Sequence, residues 1–260
     1  MSFMSWLADR LILCPTTYPI DVEAMQRRLI NTENGKVEAW VASCPSNGET
    51  ACDLSLVKFP GTSGRAERGG IHPAELFDMK TMVWTINPHG YGGSEGQASI
   101  KKFPEMANSV LDHVKEVADH DQMIVYGNSL GCITALYCAA RFDVKGLIIR
   151  NPPPLQEMIR TRPRYCAWNF GFSKFIADQV PEELDAIKNA SLCSVPCFLV
   201  QSAEDRIVPV SYQDQICEAY NGPIEKFVIP GAGHDDIIED QQHQEYIGAL
   251  RRFIDRAMNS

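Results

Sequence analysis

Met123-Ile-Val-Tyr-Gly127-Asn-Ser129-Leu-Gly131-Cys-Ile-Thr-Ala-Leu-Tyr-Cys-Ala-Ala140 is the stretch on which the reading of this chain turns. Residues 123–126 are a short apolar run of strand type. Residues 130–141 read as an apolar helix, with Ile133, Leu136, Tyr137 and Ala140 on one side. Gly127-Asn-Ser129-Leu-Gly131 matches G-x-S-x-G and leaves no space for a loop, so strand must pass to helix over one sharp turn. Such a turn pushes the Ser129 hydroxyl out at the carboxyl edge of a sheet. The glycines two residues either side make room for the strained backbone. The helix that follows aims its amino terminus at the same point, which favours developing negative charge.

Outward from this unit, strand and helix alternate. Residues 27–32 and 36–43 read as two strands of a hairpin through Asn34-Gly35, a pair that tolerates positive φ. Strands follow at 54–59 and 81–86. A helix fits 101–119, where Phe103, Met106, Val110, Val114 and Val117 recur every three or four residues. Strands at 144–149, 197–201 and 225–229 and helices at 211–220 and 241–258 complete the pattern. Short Val- and Ile-rich strands joined by helical crossovers imply an α/β architecture: a mostly parallel sheet covered on both faces, with the hairpin adding antiparallel strands at one edge. No internal repeat or linker divides the chain, so residues 1–260 read as a single domain. The irregular stretch 152–190 is long for a crossover and reads as a small lid.

Composition narrows the function classes. The 260 residues carry 24 Lys and Arg against 33 Asp and Glu, a formal charge of −9, which argues against a broad basic face for nucleic acid. No stretch of 18 apolar residues exists, so no spanning helix is expected. The nine cysteines are odd in number and scattered; with no CxxC, they read as free thiols of a reducing, cytoplasmic setting rather than as zinc ligands. The amino-terminal segment lacks the pattern of a signal peptide. Its Phe3, Trp6, Leu7, Leu11 and Leu13 fit either packing against the body, the simpler account, or a membrane-surface anchor.

A serine hydroxyl needs a base, and the base needs an acid to orient it. In a sheet of this kind the chain order is serine, then carboxylate, then histidine. Asp205 follows the strand at 197–201, with Glu204 as its neighbouring alternative. His234 follows the strand at 225–229. Both therefore lie at the sheet edge that carries Ser129. Gly92-Gly-Ser94-Glu-Gly96 also fits G-x-S-x-G, but a loop precedes it and no apolar helix follows, so Ser94 reads as a loop residue. The backbone N–H of Leu130, next to the serine, is one expected donor to an oxyanion. Thr62 N–H, after Phe59-Pro-Gly61, is the second.

With these residues in place, the chain resembles α/β-hydrolase superfamily serine hydrolases, and is similar to the compact α/β-hydrolase-domain proteins that include protein depalmitoylases and related esterases and thioesterases. Pro60-Gly61-Thr62 stands where that family has a His-Gly loop. Asn87-Pro-His89-Gly-Tyr-Gly-Gly-Ser94 resembles its Asp-x-Arg-Gly-x-Gly-x-Ser loop, with Asn87 for Asp and His89 for Arg. The resemblance implies the α/β-hydrolase fold, hydrolysis of an ester or thioester through Ser129, Asp205 and His234, a small-molecule or acylated-protein substrate, and no metal or cofactor. Tyr165, Trp168 and Phe172 of the lid either meet an acyl chain or pin the lid to the body. Arg160, Arg162 and Arg164 are either a solvated run or a seat for an anion. Two rivals stay open: an acyltransferase using the same residues, and a non-catalytic binding module on the same fold.

Overall fold

The computed structural model describes residues 3–44, 52–118, 121–161, 170–238 and 240–259. Eight strands form one sheet: β1 (Gln26–Thr32), β2 (Gly35–Cys44), β3 (Leu54–Phe59), β4 (Thr81–Asn87), β5 (Met123–Asn128), β6 (Gly146–Arg150), β7 (Cys197–Ser202) and β8 (Ile224–Ile229). Their spatial order is β1-β2-β4-β3-β5-β6-β7-β8. β1 and β2 form the antiparallel hairpin expected from Asn34-Gly35, β2 joins β4 antiparallel, and every later pair is parallel. The sheet is therefore the mixed, mostly parallel one that the strand pattern implies.

Helices cover both faces. On one lie α1 (Phe3–Leu13), α2 (Phe103–Val117), α3 (Gly131–Ala139), α4 (Leu155–Thr161), α5 (Phe170–Ala177), α6 (Ala186–Leu192) and α7 (Val210–Ala219). On the other, α8 (Asp240–Met258) lays Tyr246, Ala249, Leu250, Phe253, Ile254 and Ala257, a stripe of helical spacing, over Leu56, Ile124, Ile148 and Phe198. Every residue of α3 is buried; Cys138 serves as a small apolar side chain, Cys132 Sγ donates to the Gly127 and Arg150 carbonyls at 3.1 and 3.2 Å, and burial pushes both thiols up.

Several boundaries differ from the sequence reading for local reasons. The helix expected at 101–119 opens with a 3₁₀ turn at Ile100–Lys102 and ends at Val117, which is 51% exposed, so the buried stripe stops at Val114. β6 begins at Gly146, not at 144; Val144 is buried but lies in a tight turn, its N–H bonded to the Phe142 carbonyl. Among its described residues the expected lid stretch holds three α-helices and a 3₁₀ turn at Glu182–Leu184, and α6 packs on α3 and α7 as an ordinary crossover helix capped by Asp185. At the other end of the chain, α1 packs into the body through Ala8, Ile12 and Leu13 while Trp6 and Leu11 stay exposed.

The loop after β4 is held by a buried polar network. Glu38 accepts from Asn87 Nδ2 at 2.6 Å, Gly93 N–H at 2.9 Å and Arg27 Nε at 2.5 Å. Asn87 Nδ2 also donates to Glu67 at 2.8 Å, and its Oδ1 accepts the Ala66 N–H at 2.8 Å. Ser94 belongs to this scaffold: its hydroxyl donates to the Asn87 carbonyl at 2.7 Å and accepts the Glu38 N–H at 2.8 Å. An amide at position 87 lets one side chain donate to two carboxylates. Asn87→Asp sets a third carboxylate between them and should cost roughly 3 kcal/mol, the scale of an uncompensated buried charge. Burial alone would raise the Glu38 carboxyl, but the Gly93, Arg27 and Asn87 donors outweigh it and hold it below its usual value. Its contribution is thus present above the ordinary carboxylate range and is lost as pH falls through the lowered value. Thermal unfolding of both proteins across pH 7 to 3 checks this: the gap should be widest at neutral pH and narrow as the carboxyls protonate.

Candidate active site

Ser129 sits between β5 and α3 at φ 49°, in the left-handed region that a non-glycine residue seldom adopts. Its N–H is tied to the Arg150 carbonyl on β6 at 2.8 Å, and its own carbonyl receives the Cys132 N–H at 2.9 Å. The flanking glycines are required by close approach. A Cβ on Gly131 would stand 1.9 Å from the Phe59 carbonyl oxygen, and one on Gly127 2.5 Å from Cys132 Cα. Both strand–helix crossings would therefore have to open.

His234, in the loop after β8, places Nε2 2.8 Å from Ser129 Oγ. Its Nδ1 lies 2.6 Å from Asp205 Oδ2, in the turn after β7. The Asp205 carboxylate has no solvent-exposed surface, and only 9% of the His234 side chain is exposed. Asp205 Oδ1 accepts the N–H groups of Ile207 and Val208, each at 2.8 Å, and Oδ2 also accepts Gln213 Nε2 from α7 at 3.2 Å. With three donors besides the imidazole, this buried carboxylate is held in one orientation. Glu204 is exposed, and its backbone N–H is bonded to Ala232. Of the two neighbouring carboxylates, Asp205 is the one that faces the imidazole. The three side chains form one hydrogen-bonded chain at the carboxyl edge of the sheet.

The loop after β3 closes the opposite side. Gly61 packs against the turn, where an added Cβ would lie 3.1 Å from both Ser129 Cβ and the Asn128 carbonyl oxygen. The loop is braced by the last turn of α1: Thr62 Oγ1 donates to the Ile12 carbonyl at 3.1 Å and Ser63 N–H to the Leu13 carbonyl at 2.9 Å. Tyr91 donates to the same Leu13 carbonyl at 2.5 Å. Helix-end carbonyls that lack partners of their own thus anchor this loop. Neither Leu130 N–H nor Thr62 N–H has an acceptor among the described residues.

Two supporting residues escape a reading of the sequence. Asn151, fully buried at φ 50°, donates through Nδ2 to the His234 carbonyl at 2.9 Å and to Ser202 Oγ at 3.1 Å, and accepts the Ser202 N–H at 2.8 Å. It stitches the histidine loop to the strand that carries Asp205. Asparagine is among the few residues that enter the left-handed region readily; its place directly after a strand was the one local signal. Gln213 holds Asp205 and the Val208 carbonyl from α7.

Ser129 opens on a cavity of about 700 Å³. One wall is apolar, with Leu155, Met158 and Ile159 of α4 and Ile176 of α5. Among the residues expected to meet a substrate, Tyr165 and Trp168 lie outside the described residues; Phe172 lies in α5, and its side chain is not among the described ones. Arg160 pairs at the surface with Asp178 at 3.1 Å, and Arg162 and Arg164 lie outside the described residues. Among the described residues no group of His, Cys, Asp or Glu is arranged to hold a metal ion, and no helix is long and apolar enough to cross a membrane.

The comparisons with known proteins agree with this architecture. No family model matches the chain. It is 25% identical over 181 residues to the α/β-hydrolase domain-containing protein aho-3 of Caenorhabditis elegans, a match covering 69% of this chain. The chain spans about half the length of that relative, 50%. Among solved structures, Est1E from Butyrivibrio proteoclasticus matches with a TM-score of 0.71 at 17% identity, covering 90% of this chain and 99% of Est1E. The Pyrococcus furiosus esterase Pf2001 matches at 0.71 and 18% identity, over 94% and 97% of the two chains. The chain is an α/β-hydrolase-fold protein.

Proposed function

We propose that the protein is a serine hydrolase that cleaves an ester or thioester by acyl transfer to water. The observation that carries this reading is the run of two hydrogen bonds, 2.8 Å and 2.6 Å, from Ser129 through His234 to Asp205 at the mouth of the cavity. His234 takes the Ser129 proton at Nε2 as Oγ attacks the carbonyl carbon, while Asp205 keeps the Nδ1 proton in place and stabilises the imidazolium. The N–H groups of Leu130 and Thr62 receive the tetrahedral oxyanion, aided by the amino terminus of α3. His234 then returns the proton to the leaving alkoxide or thiolate. Water enters and gives up a proton to the same nitrogen as its oxygen attacks the acyl carbon; the acid leaves as His234 returns that proton to Ser129 Oγ. The likeness to Pf2001, an esterase, and the apolar wall of the cavity are in keeping with an acyl substrate.

Labelling with a fluorophosphonate probe tests the reading. The wild-type protein should take up close to one equivalent, and Ser94→Ala should label equally, because that hydroxyl is committed to the loop scaffold. A folded wild-type protein that takes up no probe would falsify the hydrolase reading and leave a binding module. Release of free acid, against transfer to added alcohols or thiols, separates hydrolysis from acyl transfer.

A further inference from the structure

Parallel strands buried on both faces normally run unbroken in Val, Ile and Leu. On the α8 face, β3 to β6 do so at first, with Leu54, Leu56, Val83, Ile124 and Ile148. At the next positions toward the carboxyl edge the same face carries Lys58, Thr85, Tyr126 and Arg150. Lys58 pairs in register with Thr85 on one side and Tyr126 on the other, and Arg150 stands one alternation beyond Ile148, the partner of Tyr126. Four polar side chains thus form a row across four neighbouring strands. All four line the cavity that opens at Ser129, facing away from the apolar wall of α4 and α5.

Structural duty occupies only one of them in full. Lys58 Nζ donates to the carbonyls of Gly69, Gly70 and His72 at 2.5, 3.1 and 2.5 Å, which uses its three protons and ties that loop to the sheet. Burial lowers it to about 8, so at neutral pH it is still an ammonium. Among the described residues, Thr85 Oγ1 and Arg150 Nε are buried without a hydrogen-bond partner. Among the same residues the Arg150 guanidinium has one acceptor, the Asp236 carbonyl, reached through Nη2. Burial pushes the Tyr126 phenol up to about 12, so it remains a neutral donor. Buried polar groups left unpaired are costly and call for a purpose. The wall combines two cations with two hydroxyls, and the only acidic group among the described lining residues, Asp235, is exposed at the rim.

We infer that the substrate is amphiphilic. Its aliphatic limb lies against Met158, Ile159 and Ile176, and the limb on the other side of the scissile carbonyl carries an anionic group, a carboxylate or a phosphate, received by Arg150 with the Tyr126 hydroxyl. This rests on the hydrolase reading above and adds to it the class of molecule taken.

Matched substrates test it. Octanoyl thioesters of 3-mercaptopropionate, of its methyl ester and of 2-mercaptoethyl phosphate place the charge on the leaving limb. Mono-p-nitrophenyl adipate against p-nitrophenyl hexanoate places it on the acyl limb. The inference expects kcat/KM to favour the anionic member of at least one pair by about tenfold or more, the scale of a charge-assisted hydrogen bond. The ratio should fall to near one in Arg150→Gln and return in part in Arg150→Lys. Because the ratio compares two substrates on one protein, it is insensitive to any general loss from the Asp236 tie. The carboxylate and phosphate arms identify which anion is preferred. Titration of Ser129→Ala with octyl phosphate, octanoate and octanol reads binding apart from turnover. Neutral esters cleaved with no anionic preference in either pair, and equal binding of the three ligands, overturn the inference while leaving the hydrolase intact. Anion-selective binding that Arg150→Gln abolishes, with no ester cleaved, keeps the inference and discards the hydrolase.

Discussion

Ser129→Ala should remove fluorophosphonate labelling altogether and lower kcat on any cleaved ester by about 10⁴ to 10⁶, the loss found when the nucleophile of such a unit is deleted. The change is small in volume, and the backbone tie to Arg150 is kept because it is made by the N–H and not by the side chain. Alanine removes only Oγ and its bond to His234. Thermal stability should therefore match the wild type or exceed it slightly, since φ 49° is borne by either residue. Full kinetics on a p-nitrophenyl ester, with unfolding recorded alongside, read both parts. Retention of even a tenth of wild-type turnover places the attacking group elsewhere.

Asp205→Asn tests a different link. The variant keeps the shape but presents an amide to His234 Nδ1. An amide nitrogen there favours the imidazole tautomer with its proton on Nε2, the nitrogen that must accept from Ser129. Loss of about 10⁴ in kcat with little change in KM is expected, because the substrate-binding walls are untouched. Asp205 also accepts the Ile207 and Val208 N–H groups at one oxygen, and the asparagine Oδ1 can keep those two bonds. Most of the deficit should therefore lie in turnover and little in folding. Measurement at high pH adds a second reading: general alkalinity should recover part of the asparagine variant's rate, and none if the residue merely props up its loop.

The parts legible from the sequence are those whose signals are local. β3 matched its expected span because four of its six residues are apolar and Pro60-Gly61 ends it. The turn at Ser129 was legible because strand, glycines and helix follow one another within twenty residues. Asp205 and His234 could be placed because each follows a strand, which fixes its edge of the sheet; the sequence favoured Asp205 over the neighbouring Glu204, and it is Asp205 that lies against the imidazole. What stayed hidden depends on distant segments meeting. Asn151 reaches partners 51 and 83 positions along the chain, and Gln213 is an ordinary polar residue in an amphipathic helix until the turn after β7 folds beneath it. The polar row of Lys58, Thr85, Tyr126 and Arg150 was equally hidden, since only the strand order β4-β3-β5-β6 sets those four side by side.

The stitch made by Asn151 lies where the chain departs from the sheet toward α4. Among the described residues, Ser129, His234 and Asp205 make no hydrogen bond to α4 or α5, while both helices contribute to the apolar wall. Under the proposed function, exchanging the described parts of these two helices for those of a relative should retarget the protein toward other acyl groups while leaving the hydrogen-bonded chain of Ser129, His234 and Asp205 intact. The asparagine just ahead of α4 tolerates no such freedom, and an engineer should leave it alone.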